Sequence, residues 1–259
     1  MTGTVYLVGA GPGARDLLTL RAARLLEAAQ IVFHDALVPR EVLALAKRAE
    51  LVSVGKRCGR HGSAQRFINK RLIDAARRYT VVVRLKGGDP LLFGRAQEEI
   101  AALEAARVAY EIVPGITAAM AGAAAVGTSL SQRGTVRSVA LATPRVGDGE
   151  DPSDWIKAFS AADAGAIYMA IGEAATIAEQ LIARGKPASL PVAVIENASL
   201  PDERIVRTTL ARLHSLDARD FAGPTLLLIG PQFAARSAQR SAGDDETPSR
   251  QSAVGNKQR

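Results

Sequence analysis

The sequence predicts an α/β protein built from two domains, and three patterns support this prediction. In the first half of the chain, short apolar runs alternate with longer stretches whose apolar residues recur at helical spacing. The apolar runs, such as TVVVRL, are almost continuous, which is typical of parallel strands covered on both faces. A Pro-Gly turn then opens a run of small residues, VPGITAAMAGAAAVG, where we place the domain boundary. The predicted domains are residues 1–114 and 115–235.

The first half of the chain is predicted to alternate strand and helix. Its first helix is predicted from RDLLTLRAARLLEAA, whose leucines recur at helical spacing, and Asp16 is the expected N-cap. Strands are predicted near 4–8, 31–34, 50–54, 80–85 and 109–113, and helices near 16–29, 39–48, 63–78, 94–106 and 116–126.

The second domain is predicted to contain further strands in SVALAT, AIYMAI, VAVIEN, RIVRTTL and TLLLIG. The stretch EAATIAEQLIARG predicts a helix that ends at Gly185, since glycine is the common residue just past a helix. The segment 236–259 is polar and poor in aromatic residues, which predicts a disordered tail.

Composition narrows the class of protein. Hydrophobic residues make up 47% of the chain, yet no apolar run is long enough to span a bilayer. Because the chain begins directly with a predicted strand, we expect no signal peptide and a cytoplasmic protein. Cys58 is the single cysteine, so an internal disulfide is excluded. His34, His61 and His214 share no metal-ligand spacing, and we therefore expect no metal site.

The net charge of +7 raises the question of the binding partner. Nucleic acid is disfavoured, because aromatic residues are only 4% of the chain and no basic helix or stacking motif is present. A small polyanionic molecule explains the positive charge equally well.

The first glycine-rich loop follows the first predicted strand. Gly9, Gly11 and Ala14 match the relaxed G-x-G-x-x-G/A pattern of dinucleotide-binding proteins, and Asp35 ends the next apolar run, near the expected ribose-binding carboxylate. Pro12 argues against that interpretation, because it removes one of the backbone N–H groups that hold a pyrophosphate. A tight structural turn between strand and helix is the simpler alternative.

A second glycine pair lies in RLKGGDPLLFGR, after the fourth predicted strand. Gly87 and Gly88 allow a ligand to approach the backbone closely. The bond to Pro90 holds Asp89 extended, which suits a loop at the carboxyl end of a strand. Ligands bind at this edge of an open parallel sheet. A turn followed by a helix N-cap is the alternative here.

A basic loop, VGKRCGRHG, follows the third predicted strand. It brings Lys56, Arg57 and Arg60 to the same sheet edge as the glycine loops, which favours an anionic substrate over a merely solvated charge run. Cys58 lacks an adjacent partner that would activate it as a nucleophile.

These loops, taken together in order, resemble a known family. The set VGAGPG, HDALV, VGKRCGRHG, LKGGDPLLFGR and VPGITAA is similar to the tetrapyrrole (corrin/porphyrin) methyltransferases, and within them to the uroporphyrinogen-III C-methyltransferases. The resemblance covers about residues 4–232. It implies two α/β domains with the active site in the cleft between them, a homodimer, and S-adenosylmethionine as methyl donor, released as S-adenosylhomocysteine.

The resemblance also implies roles for individual residues. Asp35 matches the family's proton acceptor and Lys56 its proton donor. The implied contacts to the methyl donor are Pro12, Gly87, Gly88, Asp89, Leu92, Thr117, Ala118, Met169 and Ala198. The eight carboxylates of the substrate would pair with basic side chains on the cleft edge, for which the candidates are Arg57, Arg60, Arg95 and Arg133.

The implied activity is the C-methylation of uroporphyrinogen III, in two transfers through precorrin-1, to precorrin-2 for siroheme or cobalamin. Two departures keep another corrin precursor or another acceptor open. SLSQR stands where the family has P-L-T-H-R, and Thr143-Pro144-Arg145 stands where it has T-G-H. A non-catalytic binder and a NAD-dependent oxidoreductase are the remaining alternatives. The first is disfavoured by the presence of both Asp35 and Lys56, and the second by Pro12.

Overall fold

The computed structural model describes residues 2–55, 61–147 and 153–234, with the side chains of 61–64 excepted. The predictions for Lys56, Arg57, Cys58 and Arg60, and for the tail 236–259, lie outside the described residues.

The first half of the chain forms a parallel sheet, as predicted. Its five strands lie in the order β3-β2-β4-β1-β5, and every pairing is parallel. The strands are β1 (Thr4–Gly9), β2 (Ile31–His34), β3 (Glu50–Ser53), β4 (Val81–Lys86) and β5 (Tyr110–Val113). The helices are α1 (Leu20–Ala28), α2 (Arg40–Leu43), α3 (His61–Ala76) and α4 (Ala96–Ala105).

Both faces of this sheet are covered, which explains why its strands are almost continuously apolar. On one face, side chains such as Leu7 and Val82 pack with Leu72 of α3 and Leu103 of α4. On the other face, the side chains of alternate strand residues pack with α1 and α2. Because the strand connections are parallel, the loops that follow the strands share one sheet edge.

The second half of the chain forms a mixed sheet. Its strands lie in the order β6-β7-β10-β8-β9; β6 and β7 are parallel, and the other pairings are antiparallel. The elements are α5 (Ala118–Val126), β6 (Val139–Ala142), α6 (Trp155–Ala161), β7 (Ala164–Tyr168), α7 (Ala174–Ala183), β8 (Pro191–Glu196), β9 (Arg204–Thr209) and β10 (Thr225–Ile229). Short 3-10 turns lie at Arg15–Leu17, Ile171–Glu173, Leu210–Ser215, Ala218–Asp220 and Pro231–Phe233.

The helix α5 packs on the second sheet. Its residues Ala119 and Val126 share a core cluster with Ile195 and Leu228, whereas α6 and α7 cover the opposite face. This packing is the reason to keep residue 115 as our proposed start of the second domain. The described residues include no helix that is long and apolar enough to cross a bilayer.

Two local predictions were wrong. Asp16 lies in the 3-10 turn and does not cap α1; Thr19 does, since its Oγ1 accepts the Ala22 N–H at 3.1 Å. Leu18 and Thr19 are extended, so the helix cannot begin earlier. A helix was predicted over 39–48, but the helix there is only α2, Arg40–Leu43. The chain beyond it continues in turns closed by i to i+3 hydrogen bonds.

Candidate active site

Three glycine loops meet backbone to backbone at the carboxyl edge of the first sheet. The Gly11 N–H donates to the Gly88 carbonyl at 3.2 Å, and the Gly88 N–H donates to the Gly11 carbonyl at 2.7 Å. A Cβ atom built on Gly115 would lie 2.3 Å from the Gly88 carbonyl oxygen, and one on Gly9 would lie 2.6 Å from the Gly115 Cα. No side chain fits at Gly9 or Gly115, so these glycines are required for the loops to touch.

Asp89 ties two of these loops together. Its Oδ1 accepts the Leu91 N–H at 2.8 Å, and its Oδ2 accepts the Gly115 N–H at 3.0 Å. The carboxylate therefore orders the loop after β4 against the loop before α5. The bond to Leu91 matches the turn that the sequence left open for Asp89, whereas the bond to Gly115 was not predicted.

The start of α5 is anchored to the second sheet by Tyr168, the last residue of β7. The hydroxyls of Tyr168 and Thr117 are 2.7 Å apart, and the Ala119 N–H donates to the Tyr168 oxygen at 3.2 Å. Burial raises the pKa of Tyr168, so its phenol stays protonated. The Tyr168 ring packs against Phe93, with centroids 5.1 Å apart. This contact joins the loop after β4 to the end of β7.

The first loop also contacts the second half of the chain. The Ala14 N–H donates to the Ser199 Oγ at 3.0 Å, and a Cβ atom on Gly13 would lie 2.7 Å from Leu200 Cδ2. The loops that carry Thr117, Met169 and Ala198 thus lie beside those of the first sheet.

Left-handed backbone is concentrated in these same loops. Apart from Arg107, the described non-glycine residues with positive φ are Phe93, Arg95, Met169, Asn197 and Ser199, with φ between 52° and 71°. Such conformations are uncommon outside glycine, and they cluster at ligand-binding sites. Met169 is exposed, whereas the Ala198 side chain is buried in the core beside α5, so Ala198 has only its backbone to offer a ligand.

A buried charged cluster supports Asp35, which follows β2. Arg84 Nη2 lies 2.6 Å from Asp35 Oδ1, and Arg84 Nε lies 2.9 Å from Glu99 Oε1. Lys86 Nζ lies 3.0 Å from Glu99 Oε2. Asp35 remains one-third exposed, at the mouth of this cluster. The two carboxylates hold the pKa of Arg84 above its ordinary value despite burial, whereas burial lowers the pKa of Lys86.

The remaining predicted site residues within the described ranges differ in exposure and contacts. Gly87 is exposed, and a Cβ atom there would make only an ordinary contact, 3.6 Å from Leu37 Cβ. Pro12 and Leu92 are half-buried. The Arg95 guanidinium binds Glu98, at 2.6 and 2.8 Å. Arg133 is exposed in the turn closed by the bridge between Gln132 and Val136.

Sequence reasoning missed Arg84, Lys86, Glu99 and Tyr168. A signal for the first two was present, because two cations two residues apart in an apolar strand must share one buried face. Such cations require a buried anion, but the sequence did not show which acidic residue supplies it. Within the described ranges, no three His, Cys, Asp or Glu residues are grouped as a metal site would need.

A separate open cavity of about 660 Å³ lies between α5 and β6. It is lined by Met120, Ala123, Ala124, Gly127, Thr128, Ser129, Leu130, Ser131, Val139 and Leu141. It includes none of the predicted site residues.

Comparison with known proteins identifies the family. A model of the Tetrapyrrole (Corrin/Porphyrin) Methylases matches residues 4–214, and the chain belongs to this family. Siroheme synthase 1 of Cronobacter sakazakii is 44% identical over 229 residues, which are 88% of this chain and 48% of that protein. The chain thus spans about half the length of the curated relatives it matches.

Two solved structures have the same two-domain fold. One is uroporphyrin-III C-methyltransferase from Thermus thermophilus complexed with S-adenyl homocysteine, at 37% identity and a TM-score of 0.76, covering 88% of this chain and 92% of that one. The other is a cobalt precorrin-4 methyltransferase, at 27% identity and a TM-score of 0.79, covering 90% and 96%.

Proposed function

We propose that this protein transfers methyl groups from S-adenosylmethionine to carbon atoms of uroporphyrinogen III. Two transfers, through precorrin-1, would give precorrin-2 for siroheme or cobalamin synthesis. The observation that supports this most is the position of Asp35, a partly exposed carboxylate held by Arg84 at the sheet edge where the glycine loops meet. The Thermus relative, solved with S-adenyl homocysteine, supports the choice of donor.

The loops fit S-adenosylmethionine. Gly87 presents bare, exposed backbone, and Thr117 presents a hydroxyl fixed by Tyr168. The residues we propose to hold the donor are Pro12, Gly87, Gly88, Asp89, Leu92, Thr117, Ala118, Met169 and Ala198, the last through its backbone. When bound, S-adenosylmethionine supplies a methyl group activated by a positively charged sulfur. The protein then has mainly to position and align the reactants.

Asp35 has a defined task in this reaction. Methyl transfer would break the bond between the sulfur and the methyl carbon and form a bond to a nucleophilic pyrrole carbon, so that S-adenosylhomocysteine leaves and the ring becomes an iminium ion. Loss of a proton restores the neutral ring, and the Asp35 carboxylate can accept that proton. Arg84 prevents Asp35 from turning away, because its guanidinium is buried and paired on both sides.

The substrate side of the proposal rests on positive charge. Uroporphyrinogen III carries eight carboxylates, and the chain has a net charge of +7. Arg95 and Arg133 are exposed on the described surface, and we assign Arg57 and Arg60 to the same task from their place in the sequence. We assign Lys56, on the same grounds, to proton donation. Guanidinium groups pair with carboxylates in two parallel hydrogen bonds, which suits such a substrate. We also propose a cytoplasmic homodimer.

A second candidate is methylation of another corrin precursor. It is favoured by the Ser131-Gln132 pair, which replaces Thr-His in the family motif, and by the similarity to the cobalt precorrin-4 enzyme. The methyl transfer and the part played by Asp35 are common to both candidates.

The test is an anaerobic incubation with uroporphyrinogen III and S-adenosylmethionine labelled in the methyl group. We expect mass spectrometry to count two methyl groups per tetrapyrrole. Absence of labelled product from folded protein that binds the donor would refute this substrate. The same assay with later corrin precursors would then identify the acceptor.

A further inference from the structure

Glu99 is the centre of the buried charged cluster. Its side chain has 0% exposure, and each of its oxygens faces a cation: Oε1 faces Arg84 Nε at 2.9 Å, and Oε2 faces Lys86 Nζ at 3.0 Å. Gln65 of α3 also donates to Oε1 at 3.3 Å. The cluster contains two cations, Arg84 and Lys86, and two carboxylates, Glu99 and Asp35, so its formal charges balance.

Burying these charged side chains in the core is energetically unfavourable compared with burying apolar ones. Removing charges from water costs several kcal/mol per ion, and apolar side chains of similar volume often stabilise a fold as well or better. Arg84, Lys86 and Glu99 are almost completely buried, and Asp35 is the member that reaches solvent. The cluster therefore connects a buried anion on α4 to an exposed carboxylate at the end of β2.

We propose that Glu99 is a positioning residue that acts on Asp35 through Arg84. Glu99 accepts the Nε–H of Arg84, and Nη2 of the same rigid, planar guanidinium then holds the Asp35 carboxylate at the sheet edge. This inference rests on the proposed function, in which Asp35 is the proton acceptor.

Further polar groups from α3, β2 and α4 lie around the cluster. From α3, Gln65 bonds Glu99 and also Asn69 at 3.0 Å. From β2, the His34 ring Nδ1 lies 3.1 Å from the Asp35 carbonyl oxygen. On α4, the neighbouring Glu98 is paired with Arg95 at the surface.

Two substitutions test the proposal. Glu99→Gln keeps the shape of the side chain but loses the charge that pairs with Arg84 Nε, so Arg84 holds Asp35 less firmly. We expect kcat to fall by up to about a hundredfold, as for a reacting group displaced by about 1 Å. Lys86→Met removes the other cation that Glu99 binds but keeps the contacts from Glu99 through Arg84 to Asp35, so kcat should stay close to the wild-type value.

The measurement is turnover of folded full-length protein, and we expect Glu99→Gln to lower kcat while KM for both substrates stays constant. Glu104→Gln is the matched control, because Glu104 lies on the same helix, exposed and bonded to Tyr110. It should leave kcat and both KM values unchanged.

The outcomes separate this inference from the proposed function. A lower kcat at constant KM in Glu99→Gln, with a near wild-type kcat in Lys86→Met, supports the positioning role. A wild-type kcat in folded Glu99→Gln, or an equal loss of kcat in both folded variants, overturns it. Normal turnover in Asp35→Asn overturns the proposed function instead. If Glu99→Gln does not fold, Arg84→Lys takes its place, since lysine keeps the charge but lacks the planar group that joins the two carboxylates: a lower kcat at constant KM then supports the role, and a wild-type kcat overturns it.

Discussion

The Nη2 atom of Arg84 lies 2.6 Å from the Oδ1 atom of Asp35, so a buried cation in the middle strand of the first sheet holds a carboxylate at the end of the neighbouring strand. The register of the sheet makes this possible, since Phe33 of β2 pairs with Arg84 of β4, two residues before Asp35. The Asp35 N–H donates to the Leu85 carbonyl at 3.2 Å, which fixes the backbone as well. The position of Asp35 is therefore set before any ligand binds.

A substitution at Gly87 tests where the methyl donor binds. Replacing it by valine should weaken binding of S-adenosylmethionine by more than about tenfold, or 1.4 kcal/mol, because a side chain would fill the surface that the donor needs. The fold should be spared, since the nearest atom to a Cβ there is Leu37 Cβ at 3.6 Å. Calorimetry measures the affinity, and thermal unfolding measures the stability.

Gly172→Val is the control for this experiment. A Cβ atom at Gly172 would meet nothing within 4 Å, and the residue is exposed beyond β7. Both variants should unfold at the wild-type temperature, and only Gly87→Val should lose affinity. Equal affinity in the two variants would place the donor elsewhere.

Tyr168 tests the anchoring of α5. Tyr168→Phe keeps the ring against Phe93 but removes the oxygen that binds Thr117 and the Ala119 N–H. We expect a loss of about 1 kcal/mol in the free energy of unfolding, as for a typical buried hydrogen bond. Affinity for the donor should fall about fivefold, which corresponds to the same free energy.

Tyr110→Phe is the matched control, because its hydroxyl bonds only the exposed Glu104 among the described contacts. Denaturant unfolding and calorimetry should show little change for it. If Tyr168→Phe lost stability but bound the donor normally, Thr117 would have no part in the donor site.

Asp163 gives a prediction about pH. The Ser138 N–H, followed by the Arg137 N–H and the Ser138 hydroxyl, donates to its carboxylate at 2.8 to 2.9 Å and lowers the pKa of Asp163. A carboxyl with a lowered pKa stabilises the fold above its unfolded pKa of about 3.9, and this contribution is lost as the pH falls through the folded pKa. Asp163→Asn should therefore lower the Tm at neutral pH but not in strong acid.

The comparison is a series of thermal melts from pH 7 downward, with the exposed Asp16→Asn as control. The gap in Tm between wild type and Asp163→Asn should narrow below about pH 4. A gap that stayed constant with pH would mean that the charge on Asp163 does not matter.

The sequence predicted the parts of the fold that depend on local pattern. The run TVVVRL is almost entirely apolar because Val82 and Val83 face two different helix layers and both are buried. Burial on both faces of a strand can therefore be recognised from its composition. The shared edge of the glycine loops followed from parallel connections. The prediction that Asp16 caps α1 was wrong because the backbone of Leu18 and Thr19 is extended. Neither residue type requires that conformation.

The supporting contacts of the site could not be predicted, because they depend on how distant elements pack. Tyr168 reaches Thr117 from 51 residues away, across the proposed domain boundary. Glu99 contacts Arg84 because it lies on the face of α4 that packs on the sheet. Glu98, its neighbour on the same helix, pairs with Arg95 at the surface instead. Alternation in β4 showed that two cations share a face, but not which anion joins them.

The most direct test of the account is the turnover of Asp35→Asn with uroporphyrinogen III and labelled S-adenosylmethionine, normalised to folded protein. Asparagine keeps the shape of the side chain but cannot accept the proton, so turnover should fall by about 10²- to 10⁴-fold while affinity for the donor barely changes. Asp74→Asn, which alters a surface ion pair with Lys70 on α3, should turn over at the wild-type rate. Folded Asp35→Asn protein that methylates the substrate at the wild-type rate would contradict the account.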